Sequence, residues 1–62
     1  MNISDLTIGD IVDAYIDGGG THRVMIIEIG ETLVFGIDSE NEEYSIEPRS
    51  EIERVIANIN EL

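Results

Sequence analysis

Two runs rich in β-branched and aromatic residues dominate the apolar pattern, Thr21 to Asp38, THRVMIIEI-GE-TLVFGID. Val24, Met25, Ile26, Ile27, Ile29, Leu33, Val34, Phe35 and Ile37 crowd this stretch, and Gly30-Glu31 between the runs reads as a tight antiparallel hairpin. Ahead of it, the Gly9-Asp10 turn launches a strand from Ile11 to Asp17. Successive strand side chains point to opposite faces, so Val12, Ala14 and Ile16 form its core face and Ile11, Asp13, Tyr15 and Asp17 its outer one. In the hairpin the same rule assigns Met25, Ile27, Ile29, Leu33, Phe35 and Ile37 to the core. It leaves His22, Val24, Ile26, Glu28, Val34 and Gly36 outside. Neither arm alternates cleanly, the pattern of strands covered on both faces or bent across a barrel. Gly36 marks a bend, a bulge or a close backbone approach. Tyr44 to Glu47 alternates as a short fourth strand stopped by Pro48.

The two ends are less determined. Met1 to Ile8 is too short to decide between an edge strand and a helical turn. In Ser50 to Leu62, Ile52, Val55, Ile56, Ile59 and Leu62 fit an amphipathic stripe, and Ser50 and Glu53 have capping-box spacing. Ile52-Glu53-Arg54-Val55-Ile56 also makes a closing strand. Periodicity favours the helix.

Size and charge narrow the picture. A chain of 62 residues is expected to be one domain near the lower limit for folding alone. It has no cysteine, so neither a disulfide nor a thiolate-bound metal can help. Without a membrane-length apolar run, or a basic region and signal-like core in MNISDLTIGD, a cytoplasmic setting is expected. Fourteen carboxylates face three cations, Arg23, Arg49 and Arg54, giving a net charge of −11. That balance disfavours direct nucleic-acid binding, which depends on Lys and Arg at phosphates. It serves solubility, or an acidic surface meant for a basic partner.

Candidate chemistry is thin. Gly18-Gly19-Gly20 leads into strand-like residues without the helix, Lys and Ser/Thr of a phosphate loop. In Asp38 to Glu43 the glutamates sit where a calcium loop needs Asp, Asn and Gly, so no metal is expected. His22 is the only histidine and has no visible catalytic shell. Neither a catalytic residue nor a cofactor is expected.

Gly9-Asp10-Ile11-Val12 opening a strand, then a Gly-rich loop, a long hairpin, an acidic turn and a short strand resembles the small SH3-like barrels, including KOW- and Tudor-type modules. The resemblance implies a mainly β fold, a partly open antiparallel barrel of four to five strands with a C-terminal helical turn or short helix. It also implies a single turn around Pro48 to Glu51 before Ile52 to Ile56 closes the barrel. Members often bind nucleic acid or ribosomal surfaces through basic or aromatic loops. This chain departs from them, with no lysine and only Tyr15, Phe35 and Tyr44 as aromatics. Two tyrosines cannot build a methyl-lysine cage.

Three classes of function compete for this sequence: an enzyme, a binding module and a homo-oligomeric scaffold or sponge for a small anionic ligand. The expected function is a non-enzymatic, acidic protein-binding module, in the style of small inhibitors encoded by phages and mobile elements, occluding a basic or nucleic-acid-binding surface. Its contact patch is read as Ile11, Tyr15, Val24 and Ile26, bordered by Asp13, Asp17 and Glu28, because an exposed apolar patch rimmed by polar groups marks an interaction site. In the scaffold reading the same patch joins a homodimer or higher homo-oligomer, and His22 and Arg23 are candidate ligand contacts.

Overall fold

The turn Thr7–Asp10 sets the chain's first strand. Gly9 takes φ +94°, a conformation open to glycine, and a Cβ there would stand 2.8 Å from Ile59 Cγ2. The Asp10 carboxylate accepts from the Thr7 backbone N–H at 2.8 Å and from Asn58 Nδ2 at 2.9 Å. The same two residues thus shape the entry to the first strand and anchor the end of the last.

The computed structural model describes residues 1–16 and 18–62. Its strands are β1 (Asp10–Ile16), β2 (Gly20–Ile29), β3 (Val34–Ile37), β4 (Glu43–Ile46) and β5 (Ile52–Asn58), with one helical turn, α1 (Pro48–Glu51), before β5. Short 3₁₀ turns occupy Ile3–Asp5 and Ile59–Glu61. All strand pairs are antiparallel and form one open sheet in the order β4-β3-β2-β1-β5. This mainly β fold, with its short C-terminal helical turn, agrees with the sequence reading. Among the described residues no helix is long and apolar enough to cross a membrane.

The C-terminal stretch corrects the helix that periodicity favours. Pro48 starts α1, where its missing N–H costs nothing, and the Glu47 carboxylate caps it by accepting from the Arg49 N–H at 2.8 Å. From Ile52 the chain pairs along the free edge of β1, burying Ile52 beside Ala14 and setting Arg54 opposite Asp13. The helical stripe is not a buried face, since Val55, Ile56, Ile59 and Leu62 are all exposed. A long-range edge outweighed local propensity.

The core comprises Leu6, Val12, Ala14, Val24, Ile26, Val34, Ile46 and Ile52. Both edge strands feed it, so the sheet curls over its inner face. The rings of His22 on β2 and Tyr44 on β4 meet at a centroid distance of 5.2 Å although β3 separates their strands.

This core reverses the expected faces of β2 and β3. Val24 and Ile26 point inward and are almost fully buried, whereas Met25 is half-buried on the other side and Ile27 is exposed. Val34 and Gly36 are buried, while Phe35 and Ile37 are half-buried on the outer face and Leu33 is exposed in the connection. Two features account for the reversal. A bulge between Ile26 and Glu28 breaks the period of two, so Ile26 and Ile29 both reach the core. The turn is also longer than Gly30-Glu31: Gly30–Leu33 connects the strands, closed by the Gly30 N–H to the Leu33 carbonyl at 2.8 Å. Ile29 therefore opposes Val34.

Candidate outer-face interface

With the smaller residues of β3 turned inward, larger ones are left on the outer face. Strand register places Ala57 of β5, Ile11 of β1, Met25 of β2 and Ile37 of β3 side by side, and the row ends on Glu43 of β4. The four apolar members are half-buried. Phe35 extends the row along β3, between Glu28 and Ser45. Exposed Ile27 lies beside it in the bulge.

The next row is ionic. Asp13, with 9% of its side chain accessible, lies between Arg23 and Arg54 on the two neighbouring strands. Arg23 Nε donates to Oδ1 at 3.0 Å and its Nη2 to Oδ2 at 3.4 Å; Arg54 Nε donates to Oδ2 at 3.0 Å. Both arginine side chains are mostly in solvent, at 62% and 69%, and keep further donors free for a second acceptor. Two of the three cations in the chain therefore gather on one carboxylate. Tyr15, 51% exposed, stands beyond it on the same face.

Hydrogen bonds from Arg23 and then Arg54 hold the Asp13 carboxyl below its ordinary value of 3.8. A carboxyl depressed by folding stabilises the fold fully above its unfolded value, and that contribution disappears as pH falls through the folded one. Thermal melting of Asp13→Asn should therefore start lower at pH 7 and fall less steeply than wild type below about pH 4. An acid limb superimposable on that of the wild type would mean the arginine pairs add nothing to stability.

The acidic loop Asp38–Glu43 continues this ionic row past the end of β3. Asp38 is used inward: Oδ1 accepts from the backbone N–H groups of Glu40 and Glu42 at 2.8 and 3.0 Å, and Oδ2 accepts from the Tyr44 hydroxyl at 2.9 Å. The Glu42 N–H is the main cause of its lowered pKa. The Asp38 carboxylate, then burial and then the Glu42 carboxylate push the Tyr44 hydroxyl up to about 12. Glu40 and Glu43 remain exposed. Among the described residues no group of three or more His, Cys, Asp or Glu is placed to hold a metal ion.

Of the patch read from sequence, Ile11, Asp13, Tyr15 and Glu28 do lie away from the core, although Asp13 is nearly covered by its two arginines. Val24 and Ile26 are core residues and cannot belong to a surface. Asp17 lies outside the described residues. His22 and Arg23, as neighbours on one strand, occupy opposite faces; His22 packs on the Tyr44 ring and Arg23 on Asp13, so the two do not face a common site. Sequence reasoning missed Met25, Phe35, Ile37, Arg54 and Ala57. The available signal was the excess of large residues on both sides of the hairpin arms.

A separate hollow of 260 Å³ is lined by Ile3, Glu31, Thr32, Glu47, Pro48 and Arg49. Its ionisable members are two carboxylates and an arginine, with no histidine or thiol beside them. Comparison with protein-family models, with curated proteins and with solved structures finds no match to this chain.

Proposed function

We propose that the chain is a non-catalytic, acidic binding module that docks another protein on the outer face of its sheet. The observation that carries this reading is the row Ala57–Ile11–Met25–Ile37, an apolar stripe across four strands left partly in water. Large apolar side chains gain about 1.5–3 kcal/mol each when fully covered. The stripe is bordered by Glu43 and Glu28 on one side and by the Arg23–Asp13–Arg54 cluster on the other, an apolar centre with a charged rim. The acidic end asks for positive groups opposite it. The arginine cluster asks for a carboxylate, so a uniformly basic partner fits less well than one of mixed charge.

The SH3-like reading is supported by the strand order, by the single turn Pro48–Glu51 and by β5 returning to β1. Within that architecture the module departs from nucleic-acid binders, because its net charge of −11 repels phosphate backbones.

Ile37→Glu tests the reading. Ile37 is outside the core, so the variant should keep a cooperative melt near that of wild type. Proteins held by the immobilised wild-type chain in native extract should lose about tenfold or more in affinity, corresponding to one apolar contact at roughly 1.4 kcal/mol per decade. Equal retention by both chains would remove the outer face as the binding surface.

A further inference from the structure

The outer face has a charge asymmetry that the net charge hides. Its β1/β5 half carries Arg54 on Asp13, with Arg23 of the middle strand sharing that carboxylate, and its β3/β4 half ends in Glu43 and the loop with Glu40 and Glu42. The apolar stripe lies between them, centred on Met25 in the middle strand.

From this we infer that the occupant of the outer face is a second copy of the chain, related by a two-fold axis parallel to β2. The inference rests on the reading of this face as a protein-binding surface and adds the identity of the partner. A closed two-fold contact must be self-complementary, and the direction of its axis decides which charges meet. An axis across the strands would lay β4 on β4, Glu43 against Glu43, and leave Arg54 of each copy away from the acidic loop of the other. An axis along β2 exchanges the two halves. Met25 then meets Met25, and Ile11 lies over Ile37. Arg54 at one edge lies over the acidic loop at the other edge of the second copy, where its unused guanidinium donors can reach Glu40 and Glu42. Arg23 falls near the axis, already neutralised by Asp13.

Size and overall charge both permit the assembly. The longest extents of the chain, 31 and 25 Å, bound a face on the order of the ~800 Å² per partner of a standard interface. Two chains of −11 repel, but charges farther apart than about 8 Å are largely screened at physiological salt. Contacts at the interface therefore decide.

Sedimentation equilibrium of the purified full chain is the test. Wild type should form a discrete dimer, Ile37→Glu should be monomeric, and Arg54→Glu should dissociate at least tenfold more readily. Glu40→Arg with Glu42→Arg, added to Arg54→Glu, should restore most of the lost affinity by reversing the pair. Arg54→Gln gives a milder version should the reversal disturb β5, with melting curves run on every variant. A wild-type chain that stays monomeric overturns the inference while leaving the protein-binding reading to its own test. A dimer indifferent to Ile37→Glu and Arg54→Glu overturns it as well, and a charge swap that restores nothing removes the two-fold arrangement described.

Discussion

Ile26→Ala is expected to cost about 2–5 kcal/mol, the range for truncating a buried isoleucine, and to lower the melting temperature by roughly 8 °C or more in a domain this small. Ile26 has no accessible surface, and it sits with Val12, Val24, Val34 and Ile46 where both edges of the sheet converge. Total stability of small domains is about 5–15 kcal/mol, so the variant has little left. Phe35→Ala removes a larger side chain from a half-buried position on the other face, between Glu28 and Ser45. It should cost distinctly less, because much of the ring's surroundings is already solvent and no closed cavity remains. Urea denaturation of the two variants side by side measures the difference. Phe35→Ala proving as damaging as Ile26→Ala would mean that β2 and β3 present the opposite faces.

That comparison bears on what could be read from the chain beforehand. The inward face of β1 was legible from Val12 and Ala14, because no bulge in β2 opposes them and the alternation holds. Strand β4 and its stop at Pro48 were legible for the same local reasons. The face of β2 was not. Five apolar residues in the nine from Arg23 to Glu31 fit either phase, and the bulge that selects one is a property of the pairing with β3. The closing strand was hidden by a different competition. Ile52, Val55 and Ile56 satisfy both periods locally, and only the open edge of β1, with Asp13 waiting for Arg54, separates them. The candidate interface inherits these limits. Ile11 and Tyr15 on β1 were visible from sequence, and Met25, Ile37 and Arg54 required the register of three further strands.

Gly36→Val should destabilise the fold by about 1–3 kcal/mol, the cost of forcing extra atoms into a packed core. Sequence marks Gly36 only as a bend, bulge or close approach, and the structure selects the last. A Cβ there would lie 2.9 Å from Val24 Cγ2 and 3.2 Å from the Met25 carbonyl oxygen. The carbonyl belongs to the β2 ladder and cannot retreat without disturbing the pairing of Met25 with Ile37. Strand propensity alone argues the other way, since valine suits a strand better than glycine, so the sign of the effect discriminates. The missing side chain lets Val24 pack flat under β3, which holds Met25 and Ile37 together on the outside. Gly36→Val should therefore weaken the outer-face contact as well as the fold, whereas Ile37→Glu should weaken the contact alone. Melting temperature and sedimentation measured on both variants separate the two effects. A Gly36→Val protein as stable as wild type would mean that β3 stands farther from Val24 than this packing requires.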